Sequence, residues 1–589
     1  MELDKKTEEA AGIVEVSNVK AGVGEIEGRG IQPVPFETRH HTATYESFTL
    51  WFSANCCIST FVIGVLSQTI FYLGFWDSFC IILFFNALAL LPPAYFTTWG
   101  PKTGMRQMVL TRYAFGYFGT YTILALNIFA CIGWSAVNVV VGGTVVHAIS
   151  DKVPVWVGII IIAVITTLVA LFGYKWIHIY EKFAWIPILV IFFIMLAEAA
   201  PYFSYVPMST SPAPILSFGG TVYGFAAGWT SYAADYNVNM PAESSARKNF
   251  LWAYLGLIIP LVCLETLGLA VGTALGANDA YAAGLDAASY GGLFSAILDP
   301  LGNAKYFLMV LLALSTVGNN IPNDYTLGLT VQVIGPFFEK VPRFIWTVVG
   351  AVVYIVIAVS IAGKFDSNLE GFLLLIAYWL APYSVIMAIE HLYIRKGNFA
   401  NWDLTAWDTV AKLPLGLAAN AALVAGIIGG VIGMAQVYYI GVLALKLDPM
   451  YGGDIGFELA LGFSAIVYFI LRPIEFRLAT TSAVRVKRQK TTYFISTAPS
   501  SSIAELKQEL AKIIGVSNVA NIRLHVAGKA PGTYNLVDDV ATLDQLAVAD
   551  DGVLYMALPL SGTEAPDAKW EQIEVYIILF NYNASMGQH

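Results

Sequence analysis

Charge is scarce in this sequence. Asp, Glu, Lys and Arg make up 12% of its 589 residues, about half the roughly 25% of a soluble globular chain. The net charge of −9 comes mainly from acids in two polar ends, which leaves no basic surface for nucleic acid. Cysteine is scarce too. The five present (Cys56, Cys57, Cys80, Cys131, Cys263) all fall in apolar stretches, and none has CxxC spacing. They read as reduced packing residues, with neither disulfides nor a metal site. Residues 1–48 lack the short apolar core and small-residue cleavage site of a signal peptide, so the first apolar run is expected to direct insertion. What abounds is hydrophobicity: 57% of residues are apolar and mean hydropathy is +0.66. That composition belongs to a polytopic membrane protein.

Measured against the roughly 20 residues that a helical span needs, twelve segments qualify: 49–74, 77–98, 117–149, 154–173, 182–204, 216–237, 250–276, 304–334, 343–363, 369–393, 414–435 and 456–476. Basic residues orient them. With the N-terminus inside, inner loops carry twelve (Lys102, Arg106, Arg112, Lys175, Lys182, Arg247, Lys248, Lys340, Arg343, Arg395, Lys396, Lys412), and outer loops carry four (Lys152, Lys305, Lys364, Lys446). Both termini are therefore expected in the cytoplasm. The scattered charges and glycines of residues 1–48 read as a disordered cytoplasmic tail.

Polar and small residues interrupt particular spans. Span 1 holds Ser53-Ala54-Asn55 followed by Cys56-Cys57, and span 6, five spans later, holds Gly228-Trp229-Thr230-Ser231. Span 3 carries Gly133-Trp134 and Asn138; span 8, again five later, carries Gly318-Asn319-Asn320-Ile321-Pro322-Asn323-Asp324. Because Pro322 has no N–H, the Gly318 carbonyl loses its helical partner, and a break is expected there. Interruptions at corresponding places in two halves point to an inverted-repeat transporter with its site at mid-membrane.

Trp134 and Asn138, at i and i+4, share a helix face. Two indoles, Trp134 and Trp229, can stack on a flat ring. Asn138, Asn319, Asn320 and Asn323 supply planar amides for a heterocycle edge carrying both C=O and N–H. No basic residue joins them, so a neutral, nitrogen-rich ligand fits best. Ionisable groups near mid-membrane are Asp235, Glu265 and Asp324, with Glu198 at a helix end, and any could carry a coupling proton. Ser315 and Thr316 could instead hold Na⁺ with carbonyls of span 1. The sequence leaves the two coupling ions open.

Gly100-Pro101-Lys102-Thr103-Gly104-Met105-Arg106-Gln107-Met108 with Arg112-Tyr113-Ala114-Phe115-Gly116 resembles the loop after span 2 in nucleobase:cation symporter-1 proteins. Glu181-Lys182-Phe183-Ala184-Trp185-Ile186-Pro187, Gly228-Trp229-Thr230-Ser231, Asn319-Asn320-Ile321-Pro322-Asn323 and Glu390-His391-Leu392-Tyr393 resemble further motifs of that family. The variant is most like the fungal purine–cytosine permeases. This resemblance implies a LeuT-like core of two inverted five-span repeats plus two helices over residues 49–478. It also implies a plasma-membrane transporter and not an enzyme, importing purines and cytosine with protons by alternating access, without a cofactor. The implied substrate site is Trp134, Asn138, Trp229, Asn319, Asn320, Pro322 and Asn323, with Ser53 from span 1. A family relative importing uracil, allantoin or a vitamin, or one coupled to Na⁺, is the alternative, ahead of a channel or receptor.

Composition changes after span 12. Residues 479–490, with Arg485, Lys487, Arg488 and Lys490, read as a basic juxtamembrane linker. Residues 491–560 alternate like a soluble α+β domain: a strand over 492–497, a helix over 502–514 with a Ser502/Glu505 capping box, and strands over 522–526 and 553–558. With Ala527-Gly528-Lys529 and Thr542-Leu543-Asp544-Gln545-Leu546, this segment resembles ubiquitin-like (β-grasp) domains. A cytoplasmic protein partner is expected for it, followed by a C-terminal tail over 561–589. Asn583-Ala584-Ser585 has the form of a glycosylation acceptor, unusable in the cytoplasm.

Overall fold

The computed structural model describes residues 30–39, 41–171, 182–209, 211–479, 482–488, 491–497, 501–516, 518–527, 534–542, 545–546 and 553–558. The expected disorder of residues 1–29, the tail 561–589, and Lys175, Glu181, Lys490, Gly528, Lys529, Leu543 and Asp544 lie outside the described residues. The chain divides into two units, at residues 1–471 and 472–589.

In the first unit helix follows helix because long apolar runs must satisfy every backbone group internally. They are α1 Glu46–Asn55, α2 Ile58–Thr69, α3 Phe75–Ala89, α4 Thr120–Ile149, α5 Val155–Leu171, α6 Trp185–Ala199, α7 Pro212–Ala227, α8 Ala246–Ala274, α9 Asp279–Ile297, α10 Ala304–Val333, α11 Arg343–Ile361, α12 Phe365–Ile389, α13 Leu417–Gly433 and α14 Gly456–Ala479. Each of the twelve apolar runs is thus helical. Among the described residues seven helical stretches are long and apolar enough to cross a bilayer unaided, and α1 with α2, bent by 50°, forms an eighth span.

α9 was not expected. It lies between runs 7 and 8 and folds back at Ala288 and Ser289, where φ of Ser289 is 53°. Glycines make the fold-back possible: a Cβ on Gly292 would sit 1.9 Å from the Gly284 carbonyl. Close packing also joins α2 to α8. A Cβ on Gly64 would lie 1.8 Å from the Glu265 carbonyl, and one on Gly268 would lie 1.9 Å from that of Phe61. These are small-residue contacts that let apolar helices approach in lipid.

Three expectations change. First, span 8 is not broken: α10 runs unbroken for 30 residues with Pro322 inside it, and its partner α4 is also continuous. Neighbouring side chains tie the Pro322 turn to the segment after α7, as Tyr236 OH does by donating to the Pro322 carbonyl at 3.1 Å. Second, the described residues 30–39 and 41–48 are ordered. Ile31 and Val34 are buried, and the buried Arg39 guanidinium donates to the carbonyls of Val34, Pro101 and Thr103 at 2.6–3.2 Å. Burial holds Arg39 below its ordinary pKa, with Glu37 and Glu243 acting in the opposite direction. Third, the stretch 479–490 is not a linker, because most of it is strand.

In the second unit that strand, β1 Ser482–Arg488, pairs antiparallel with β2 Thr491–Thr497 and parallel with β5 Val553–Ala557. β5 in turn pairs antiparallel with β3 Arg523–Ala527, which pairs with β4 Tyr534–Leu536. The sheet order is β2-β1-β5-β3-β4. Helix α15, Ile503–Ile514, starts at the expected capping box: Ser502 Oγ accepts from Glu505 N at 3.3 Å, and Ser502 N donates to Glu505 Oε2 at 3.1 Å. Its Ile503, Leu506 and Leu510 form a core with Leu524, Leu554 and Met556, whereas Ile513 is exposed.

Candidate substrate site

The break between α1 and α2 leaves backbone groups that helices normally satisfy themselves. Side chains take them. Asn319 Nδ2 donates to Ala54 O at 2.6 Å, Thr60 Oγ1 donates to Asn55 O at 2.7 Å, and Ile58 N donates to Ser315 Oγ at 3.2 Å. A second break follows α7, where 3₁₀ turns over Gly228–Ser231 and Ala233–Tyr236 flank Tyr232. The Gly100–Gln107 motif braces that end. Gly100 abuts the Ala234 carbonyl, Arg106 donates to Asp235 O at 2.7 Å and to Tyr325 OH at 2.9 Å, and Gln107 N donates to Asp235 Oδ1 at 2.7 Å.

Between the two breaks, α4 and α10 flank a small cavity lined by Trp134, Phe225, Gly228, Trp229, Tyr232, Asn319 and Asn323. All seven are buried. The Trp134 indole packs edge-on to Phe225 and Phe372, with centroids 5.5 and 5.1 Å away. A Cβ on Gly228 would meet it at 2.9 Å. The Trp229 indole is fixed by donating Nε1 to Asn55 Oδ1 at 3.0 Å and by edge contact with Trp51.

The amides form a chain behind the wall. Ser59 Oγ donates to Asn138 Oδ1, and Asn138 Nδ2 donates to Asn319 Oδ1, each at 2.8 Å. Tyr232 OH donates to Asn323 Oδ1 at 2.7 Å, while Asn323 Nδ2 makes only long contacts, 3.3 Å to Asn319 O and 3.4 Å to Asn320 Oδ1. Trp134 Nε1 and Asn320 Nδ2 are buried with no acceptor among the described residues. Such donors cost about 1–3 kcal/mol each until something accepts from them.

Of the eight residues expected at the site, Trp134, Trp229, Asn319 and Asn323 bound the cavity. Asn138 stands behind Asn319; Asn320 and Pro322 lie inside α10 away from the wall; Ser53 is buried in α1 and does not line it. From span 1, Asn55 supports the site indirectly by accepting from Trp229 Nε1. Phe225, Tyr232 and Phe372 were missed, since a lone aromatic in an apolar run carries no signal of its own.

The ion candidates scatter. Asp235 accepts from Gln107 N, and Glu265 accepts from Asn86 Nδ2 at 2.6 Å between α8 and α3. Asp324 is bonded by hydroxyls of α4, α5 and α11. Ser315 Oγ donates to Leu312 O at 2.6 Å while accepting from Ile58 N, and Thr316 Oγ1 donates to Ala313 O at 2.8 Å. Glu198 lies outside this group, at the end of α6.

Residues 33–451 match the family model described as permease for cytosine/purines, uracil, thiamine, allantoin. The chain belongs to that family. It is a family of transporters, not enzymes. The chain is 44% identical over 458 residues to the purine-cytosine permease fcyB of Emericella nidulans, covering 77% of this chain and 89% of that protein. It is 39% identical to the purine-cytosine permease FCY21 of Saccharomyces cerevisiae (78% and 89% covered). Vitamin B6 transporter TPN1 of the same yeast is 30% identical (77% and 88% covered). The fold is that of Mhp1, a nucleobase-cation-symport-1 transporter solved in a closed form with bromovinylhydantoin bound. The TM-score is 0.59 at 15% identity, with 77% of this chain and 96% of Mhp1 covered.

Proposed function

We propose that this protein imports purine bases and cytosine across the plasma membrane by proton symport. The observation that carries this reading is the set of side chains lining the small cavity. The set joins two indoles, two asparagine amides and an unpaired indole N–H, with no charged side chain among the lining residues. A neutral base offers that wall a flat π-system and a mixed donor–acceptor edge. Permeases for purine and cytosine among the relatives support the choice of ligand. Trp134, Trp229, Asn319 and Asn323 contact the base directly, and Asn138 positions Asn319.

Protons are preferred to sodium because Ser315 is already engaged. Its oxygen faces the Ile58 N–H at the start of α2, and its hydrogen goes to Leu312 O. A backbone N–H at a helix N-terminus repels a cation. Another neutral heterocycle is the second reading, favoured by the vitamin B6 transporter among the relatives. Competition of labelled cytosine uptake by purines, uracil, allantoin and pyridoxine tests the choice. Displacement by adenine and hypoxanthine at low concentration is expected; displacement only by pyridoxine contradicts it.

The second unit is a ubiquitin-like module that meets a cytoplasmic protein partner. Support comes from its five-stranded order, with parallel first and last strands at the centre and one helix packed on the sheet.

A further inference from the structure

Asn323 lines the cavity; its neighbour Asp324 does not. The Asp324 side chain is fully buried among α4, α5 and α11. Ser135 Oγ donates to Oδ1 at 3.2 Å, and Thr167 Oγ1 and Tyr354 OH donate to Oδ2 at 3.3 and 3.2 Å. No lysine, arginine or backbone N–H bonds this carboxyl group among the described residues. Titratable groups facing it are Cys131 on α4 and Tyr354 on α11. Arg343, also on α11, is turned to the Ala170 and Leu171 carbonyls at 3.3 and 3.5 Å and lies over the Tyr325 ring. α5 contributes no titratable residue; beside Asp324, α10 carries Lys305 and Tyr306 at its far end and Tyr325, whose OH accepts from Arg106 at 2.9 Å.

We propose that Asp324 carries the coupling proton, an inference that rests on the proton symport proposed above. Its three partners are all hydroxyls, and a hydroxyl can donate to a carboxylate or accept from a carboxylic acid. The same cage therefore serves both forms. On protonation the new O–H donates to Thr167 Oγ1, and the Thr167 proton turns to the Ala163 carbonyl, already 2.9 Å away. No other bond need change. Asp235 differs, because the Arg106 guanidinium beside it, which donates to its backbone carbonyl at 2.7 Å, favours the ionised form. Glu265 meets one amide, remote from the cavity wall.

Two consecutive pairs link the cage to the ligand. Trp134 and Asn323 face the cavity, while Ser135 and Asp324, the next residues on α4 and α10, face each other behind it. A base stacked on Trp134 and bonded to Asn323 thus fixes the spacing of the two helices at the level of the carboxyl group. The proton in turn sets that spacing for the base.

The test uses the full-length protein in proteoliposomes with labelled cytosine. Wild-type affinity is expected to strengthen as pH falls, by up to about tenfold per pH unit, the limit for one linked proton. Asp324→Asn should bind cytosine with little pH dependence and exchange it across the membrane, yet fail to accumulate it along a pH gradient. Asp324→Glu should recover part of the accumulation. Should Asp324→Asn not fold, Thr167→Val and Tyr354→Phe must shift the pH midpoint of binding; an unmoved midpoint in both overturns the proposal. Accumulation by Asp324→Asn overturns it directly and leaves nucleobase symport standing. A wild type that binds no cytosine at any pH overturns the symport reading and the proton site together.

Discussion

Asn323→Ala is the substitution whose effect follows most closely from the cavity geometry. Asn323 Oδ1 is taken by Tyr232 OH at 2.7 Å, but its Nδ2 reaches its two acceptors only at 3.3 and 3.4 Å. That N–H is therefore, with the unpaired Trp134 Nε1, a donor available to a base. Removing it strands a ligand acceptor in a buried site, at a cost of about 1–3 kcal/mol, or roughly 5- to 150-fold in affinity. The substitution also deprives Tyr232 OH of its acceptor, so part of any loss could be internal. Tyr232→Phe separates the two, since it removes the same internal bond and keeps the amide. Inhibition constants for unlabelled cytosine against labelled uptake, normalised to surface protein, give both numbers. We expect Asn323→Ala to lose at least tenfold more affinity than Tyr232→Phe. Equal losses, or none in either, would refute a direct contact.

Gly228→Ala should impair uptake strongly at near-normal surface levels. Its Cβ would lie 2.9 Å from the Trp134 ring, which must shift into the cavity; Gly276→Ala, with nothing within 4 Å, should behave as wild type. A fragment over residues 479–560 should melt cooperatively, whereas one over residues 491–560 should not, because the latter lacks the central strand β1. Equal folding of both by circular dichroism would contradict the pairing described. Ending the chain after Ala479 should leave cytosine uptake per surface molecule unchanged.

Much of the architecture was legible because lipid imposes simple rules. An apolar run of sufficient length must be helical, so all twelve runs are helices. α9 escaped notice because its alanines and glycines are neither apolar enough for a span nor polar enough for a plain loop. The break in span 1 was visible in Ser53-Ala54-Asn55 and Cys56-Cys57, but which residue faces the ligand was not. Neither Ser53 nor Asn55 lines the cavity, since packing turns Asn55 to the Trp229 indole instead. Pro322 misled: an absent N–H removes one hydrogen bond, and neighbours on both sides hold α10 together without it. Residues 30–48 misled differently. Their charges suggested disorder, yet Arg39 finds three carbonyl partners that only the folded chain assembles. The strand at 482–488 was hidden by its own basic residues, which read as a stop signal at the membrane.

Accumulation of labelled cytosine in proteoliposomes under an imposed pH gradient, acidic outside, bears most directly on proton-coupled nucleobase transport. The predicted result is uphill uptake that collapses with a protonophore, is displaced by adenine, and is indifferent to replacing Na⁺ by choline. Uptake that only equilibrates, or that runs uphill on a sodium gradient alone, would contradict the account.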